Sequence, residues 1–342
     1  MSVSEIEAIA AAMVAPGKGI LAADESTGTM DKRLQAAGVE PSEEARRSFR
    51  ELLFTADGMA EHVSGVIMFD ETLRQSTVSG TPFPEYLAAR DVLPGIKVDT
   101  GAKPLAGAPG ETVTEGLDGL RGRLAEYSEL GARFAKWRAV IAIAGESLPS
   151  RRAIEVNAHA LARYAALCQE AGVVPIVEPE VLMDGDHPIE RSEEVTGRVL
   201  HEVFDALFEQ GVRLEGIVLK PNMVLSGYSC PEQARVEEVA ERTLACLRRV
   251  VPAAVPGIAF LSGGQSDELA TRHLDAMNRI GGQPWELTFS YGRGLQATAL
   301  NTWAGEDANV SEAQQIFLQR ARCNGGARDG RWSAALEEAL VA

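Results

Sequence analysis

Three short stretches place charged residues inside apolar runs: Lys136 and Arg138 in FAKWR, Glu178 and Glu180 in IVEPE, and Lys220 in GIVLKPNM. The run Ile217-Val218-Leu219 reads as a buried strand, and a lysine is almost never fully buried without a partner. Residues two apart on a strand share a face. Lys136 and Arg138 therefore point one way, into an interior, and Trp137 points the other way, toward packed helices. Glu178 and Glu180 also share a face, with Pro179 fixing the backbone between them. Paired carboxylates suit general acid/base work because their repulsion raises one pKa; they suit equally well as ion-pair partners for lysines on neighbouring strands. A lysine desolvated among apolar neighbours, with a second cation near, gives up its proton more readily, and the neutral amine attacks carbonyls. Lys136, Glu178 and Lys220 together point to Schiff-base chemistry. A protonated imine draws electrons from the adjacent carbon, so a C–C bond breaks to leave an enamine, and a nearby carboxylate dehydrates the carbinolamine.

Such a set works only if separate elements bring it together. Short apolar runs occur at 19–23, 65–69, 94–98, 133–143, 173–177, 216–219, 257–261 and 285–289. Stretches with helical patterning lie between most of them, at 152–171, 193–210, 231–250 and 266–278. Strands alternating with helices predict a parallel sheet, and eight such units predict a closed (β/α)8 TIM barrel of the α/β class. An open doubly wound sheet is the alternative, but no G-x-G-x-x-G follows the first run. Seven of the eight runs end in charged or hydroxyl residues, which a barrel would gather on its C-terminal face. Solvated loop charges explain any one of these, but not charges at alternating positions within strands. After run seven comes LSGGQS, opening a helix, and SYGRG follows run eight. Backbone N–H groups at a helix N-terminus bind anions, and barrels often hold phosphate at these two loops. Ser262, Gly263 and Gly264, with Arg293 across from them, read as one phosphate site. Lys97, Arg138, Ser26 and Arg33 read as a second, so a substrate with two phosphates is expected.

The 342 residues are 45% hydrophobic, enough for a large core, and carry a formal net charge of −16 with a pI of about 4.9. An acidic chain is a poor general partner for nucleic acid or anionic lipid. The N-terminal residues lack a basic n-region, and no apolar run reaches the roughly 18 residues needed to span a membrane. Cys168, Cys230, Cys246 and Cys323 form no C-x-x-C pair and read as reduced thiols of a cytoplasmic protein, Cys168 and Cys246 as core. His62, His159, His187, His201 and His273 stand in no ligand-spaced motif, so neither a metal nor another cofactor is expected.

LAADESTGT, GIKVD, FAKWR, IVEPE, LKPNM, FLSGGQS and TFSYGRGLQA, in this order from about residue 5 to about residue 322, resemble the class I fructose-1,6-bisphosphate aldolases. The resemblance implies a metal-free barrel that cleaves fructose 1,6-bisphosphate to dihydroxyacetone phosphate and glyceraldehyde 3-phosphate, as a cytoplasmic homotetramer. It implies that Lys220 is the Schiff-base lysine and Glu178 the general acid/base, with Glu180 beside it. Asp24 then positions substrate for C–C cleavage, and Lys136 is the charged partner of the imine. Arg138 contacts a phosphate or hydroxyl. Ser26, Thr29, Arg33 and Lys97 fall on the C6-phosphate side; Ser262, Gly263, Gly264, Ser290, Gly292 and Arg293 fall on the C1-phosphate side. One departure stands out. Animal members close with a tyrosine that assists proton transfer, whereas the last tyrosine here is Tyr291 and the chain ends Glu-Glu-Ala-Leu-Val-Ala. The domain expected is a single barrel over residues 1–342, with 323–342 as a C-terminal tail. The rival readings are a metal-dependent aldolase, a Schiff-base lyase for another phosphosugar such as sedoheptulose bisphosphate, and a scaffold that keeps the fold without the chemistry. A scaffold has no need for a costly buried charge cluster.

Overall fold

Each apolar run becomes a strand of one parallel, closed barrel in the computed structural model, which describes residues 3–338. The strands are β1 (Gly19–Ala23), β2 (Val63–Met68), β3 (Leu93–Lys97), β4 (Phe134–Ile141), β5 (Val174–Val181), β6 (Val218–Leu219), β7 (Gly257–Phe260) and β8 (Glu286–Tyr291). They pair in chain order, and β8 closes on β1 through Ile20–Ser290 and Leu21–Tyr291. This is the expected (β/α)8 barrel. The helices expected at 152–171, 193–210, 231–250 and 266–278 are Arg151–Glu170, Ile189–Glu209, Val236–Val250 and Asp267–Ile280.

Strands buried on both faces read as continuous apolar runs, and alternate residues feed two cores. Ile20, Ala22, Ile67, Phe134, Val174, Ile176, Val218 and Ala259 fill the barrel interior together with Ile6, Ala10, Met13 and Val14. The helix Val3–Met13 thereby plugs the N-terminal end. Leu21, Ala23, Trp137 and Val177 turn outward into the larger layer against the helices. Trp137 faces outward as expected, its ring 5.6 Å from that of Tyr164. Phe134 fits the interior only because β3 carries Gly95: a Cβ there would lie 2.2 Å from the Phe134 ring.

Three local features differ from the sequence reading. β4 and β5 pair over eight residues each, so Glu178 and Glu180 lie inside β5 instead of beyond its end. β6 has only two residues, preceded by a 3₁₀ turn at Leu214–Gly216 and stopped by Pro221, which has no N–H for the ladder. The Lys220 N–H still donates to the Val177 carbonyl at 2.8 Å, so the lysine is held in the barrel wall. Finally, an antiparallel hairpin, Ala102–Pro104 with Thr112–Thr114, follows β3. It is tied to the upper half of β4 by Thr114 Oγ1 donating to the Arg138 carbonyl at 2.7 Å and Thr112 Oγ1 to the Val140 carbonyl at 3.0 Å.

The helix Val310–Arg328 is followed by Ala334–Glu338, with Arg320 paired to Glu337. Part of the expected tail, residues 339–342, lies outside the described residues.

Candidate active site

β4 places Lys136 in register with Lys97 of β3, and Arg138 in register with Glu178 of β5. In-register residues of parallel strands point the same way, so these inward positions meet above the apolar plug. Lys136 Nζ lies 2.6 Å from Asp24 Oδ2, just past β1, and 3.2 Å from Glu178 Oε2. Lys220 Nζ, at the end of β6, lies 3.1 Å from Glu178 Oε1. The four side chains are between 4% and 12% exposed. A buried charge costs several kcal/mol unless paired, and here two carboxylates face two lysines.

Burial works against the charge on Asp24, yet Lys136 and Lys220 outweigh it and hold the carboxyl well below its ordinary value. Glu178 is likewise lowered, burial being overcome by Lys136, Lys220 and Arg138. For Lys136, burial favours the neutral amine, but Asp24 and Glu178 prevail and push its pKa far above that of a free lysine. For Glu178 the cations outweigh the expected carboxylate repulsion, because it faces two lysines, while Glu180 is engaged by Arg138. The two lysines are not equivalent. Lys136 is bracketed by two carboxylates and stays charged, whereas Lys220 meets one oxygen of a shared carboxylate. Glu178 Oε2 has ion-pair contact but no hydrogen-bond partner among the described residues.

A cleft of about 1230 Å³ opens over this cluster. Asp24, Ser26, Thr29, Arg33, Lys97, Lys136, Arg138, Glu178, Glu180, Lys220, Ser262, Gly263, Ser290, Gly292 and Arg293 all line it. Of the residues singled out in the sequence, Gly264 is the one outside that lining; a Cβ there would lie 3.0 Å from Arg293 Nη2. Gly263 and Gly264 both have positive φ, +62° and +100°, and a Cβ on Gly263 would sit 1.6 Å from Met183 Cε. Only glycine makes this turn. Ser262 lies just before the helix Asp267–Ile280, which Ser266 caps by accepting from the Leu269 N–H at 3.2 Å. The Ser290 hydroxyl, in β8, is buried without a hydrogen-bond partner among the described residues. Arg293, the first residue of the helix Arg293–Trp303, is in no ion pair among them, unlike the other cations named for phosphate. Lys97 Nζ holds Asp99 Oδ1 at 2.6 Å, Arg33 holds Glu25 and Arg138 holds Glu180.

Glu25, Asp99, Arg123 and Arg74 also line the cleft and were not singled out from the sequence as site residues. Asp99 had a signal: two residues after Lys97, it follows the same strand end. Arg123 donates to the Val98 carbonyl at 2.8 Å, a contact across 25 residues with no local signature. No group of three or more His, Cys, Asp or Glu side chains suited to a metal occurs among the described residues.

The family model for fructose-bisphosphate aldolase class I matches residues 5–341. The chain belongs to the class I fructose-bisphosphate aldolase family. It is 59% identical to a probable fructose-bisphosphate aldolase class 1 of Xanthomonas campestris pv. campestris, over 97% of this chain and 99% of that one. It is 51% identical to the fructose-bisphosphate aldolase of Dictyostelium discoideum, over 96% and 93%. In structure it superposes with a TM-score of 0.95 on the Plasmodium falciparum fructose-bisphosphate aldolase solved with TRAP and a small-molecule inhibitor, at 48% identity, over 97% of this chain and 96% of that one. The class I aldolase is a lyase of glycolysis and gluconeogenesis that reversibly cleaves fructose 1,6-bisphosphate to dihydroxyacetone phosphate and glyceraldehyde 3-phosphate through a Schiff base. Among the described residues no helix is long and apolar enough to cross a membrane.

Proposed function

We propose that Lys220 is the amine that forms the Schiff base, with Glu178 as the group that moves protons to and from it. The observation that supports this most is the chain Lys220–Glu178–Lys136–Asp24, with Lys136 held charged at 2.6 Å from Asp24. Lys220 passes a proton to Glu178 and its lone pair adds to the ketone carbon of the substrate. Glu178 returns that proton to the carbinolamine oxygen and then relays a second one from the nitrogen to the same oxygen, so that water leaves and the protonated imine remains. The proton of the C4 hydroxyl then passes to a carboxylate of the cluster, with Asp24 positioning that hydroxyl. The C3–C4 electron pair flows into the imine, releasing glyceraldehyde 3-phosphate and leaving an enamine. Protonation at C3 and addition of water free dihydroxyacetone phosphate and Lys220. Lys136 keeps its charge throughout and stabilises the carboxylates between transfers. Glu180 holds Arg138 toward substrate hydroxyls.

Ser262, Gly263, Gly264, Ser290, Gly292 and Arg293 form the C1-phosphate subsite, and Ser26, Thr29, Arg33, Lys97 and Arg138 the C6-phosphate side. Among the described residues Arg293 is in no ion pair and the Ser290 hydroxyl has no hydrogen-bond partner, and both lining positions support the first assignment. The reading extends to a single domain, residues 1–342, working in the cytoplasm as a homotetramer.

Borohydride added to the protein with dihydroxyacetone phosphate tests the central assignment. Reduction fixes the substrate as an adduct on the peptide carrying Lys220; cleavage without any adduct would contradict the covalent route. Arg293→Ala raises KM for the bisphosphate by roughly 10- to 100-fold, the worth of a charge-assisted hydrogen bond of about 1.5–3 kcal/mol. An unchanged KM would place that phosphate elsewhere. Prolonged EDTA leaves the activity intact, since every proton and electron pair above is handled by side chains; loss restored by zinc would contradict it.

A further inference from the structure

Glu25 follows Asp24 directly, and its side chain is 7% exposed at the edge of the cleft. It is held by three groups. Arg33 donates to Oε1, Gln296 Nε2 donates to the same oxygen at 2.7 Å, and Arg50 Nη2 donates to Oε2 at 2.6 Å. Gln296 also donates to the Ala22 carbonyl at 2.7 Å and accepts from Arg50 Nη1 at 3.3 Å. One carboxylate therefore faces two guanidiniums, and these differ sharply. Arg50 is 2% exposed and does not line the cleft. Arg33 is 27% exposed and does.

We propose that Glu25 and Arg50 are a charge-balancing pair that leaves Arg33 as the surplus cation of the C6-phosphate subsite, so that Arg33 leaves Glu25 for the phosphate when substrate binds. The proposal rests on the assignment of Arg33 to that phosphate. A buried guanidinium needs a counter-charge, and Glu25 supplies it to Arg50 through one oxygen. When Arg33 turns away, Glu25 keeps Arg50 on Oε2 and Gln296 on Oε1, so no buried charge is stranded. Without Arg50, Glu25 would have Arg33 as its sole cation, and a phosphate would have to compete with a full ion pair for it. Glu25 and Arg50 are positioning residues: neither touches substrate, yet together they set how freely Arg33 answers it.

Charge balance gives a test that packing alone would not satisfy. Arg50→Met raises KM for fructose 1,6-bisphosphate about 10-fold, the lower end of a lost charge-assisted contact. KM for fructose 1-phosphate, which has a hydroxyl and no phosphate at that end, changes by less than about twofold. Glu25→Gln/Arg50→Met removes both members, frees Arg33 and returns the bisphosphate KM to within about threefold of the parent protein. A merely structural role for Arg50 moves both substrates together and is not rescued by the second change; either result overturns the proposal. Should the single variant not fold, the neutral double variant decides alone, and a bisphosphate KM raised about 10-fold in it overturns the proposal. Arg33→Ala separates the underlying assignment: if it leaves the bisphosphate KM unchanged, the phosphate lies elsewhere, whatever Arg50 does.

Discussion

Lys220→Arg abolishes cleavage while the protein stays folded. An arginine places a positive charge opposite Glu178, whose Oε1 now lies 3.1 Å from Lys220 Nζ, so the buried carboxylate keeps a partner and thermal unfolding stays close to that of the parent. The guanidinium remains protonated at any accessible pH and cannot attack a carbonyl. Lys220→Ala is equally inactive but loses the charge as well. For both, kcat falls by roughly 10⁴- to 10⁶-fold, the scale seen when a covalent nucleophile is removed. Single-turnover cleavage measures the loss, and borohydride trapping measures the absence of adduct. Retained adduct in Lys220→Ala, mapped to Lys136 or Lys97, would mean the nucleophile has been misassigned. The bland alternative, a structural lysine that pairs with Glu178, predicts that Lys220→Arg keeps most of its activity.

Lys136→Met damages both stability and turnover, and its two effects separate. Asp24 and Glu178 share this ammonium at 2.6 and 3.2 Å, and removing one partner of a buried pair costs about 3–5 kcal/mol. Turnover falls by about 10²–10⁴-fold, as for lost acid/base function, because the carboxylates no longer hold the charge state that proton transfer needs. Adding Asp24→Asn restores most of the stability, since one negative charge is removed with the positive one, but it restores none of the turnover. Urea unfolding checks the first effect and steady-state kinetics the second; recovery of both would reduce Lys136 to a structural ion. The pH dependence has a definite sign. Asp24 and Glu178 titrate below their ordinary values in the folded protein, so their stabilisation is present at neutral pH. It is lost as pH falls below the ordinary glutamate value of 4.5 and through the lowered folded values. Lys136 titrates above its ordinary value of 10.5, so its contribution holds below that pH and is lost only in strong alkali. The stability gap between parent and Lys136→Met is therefore flat across neutrality and narrows in acid; a gap unchanged at pH 4 would mean these carboxylates do not carry it.

The barrel was legible because its strands are buried on two faces. Eight apolar runs separated by helical periodicity leave few other architectures, and the alternation of Lys136, Trp137 and Arg138 orients β4 correctly. Boundaries were less legible where charged residues point inward. Glu178 and Glu180 look like a strand end by hydrophobicity, yet β5 continues to Val181 because backbone pairing with β4 does not depend on what the side chains carry. The hairpin Ala102–Pro104 with Thr112–Thr114 was invisible. Its strands are three residues long, too short for a periodic signal, and are held by carbonyls of β4 24 and 28 residues further along.

The sequence by itself determined the kinds of chemistry available: two lysines, an arginine and two glutamates set at alternating or terminal strand positions, two glycine-containing anion loops, and motifs specific enough to name a family. Those are properties of residue type and spacing along the chain. Only the tertiary structure decided which charge faces which. Lys136 is locked between Asp24 and Glu178 while Lys220 meets only the other oxygen of Glu178; Arg293 is in no ion pair among the described residues while Lys97, Arg33 and Arg138 are engaged; and Glu25 balances Arg50 with Gln296 drawn in from 246 residues beyond that arginine. Coulomb energy depends on separation in space and on the surrounding dielectric. Both are set by barrel closure and burial, and neither is written in the spacing of residues along the chain.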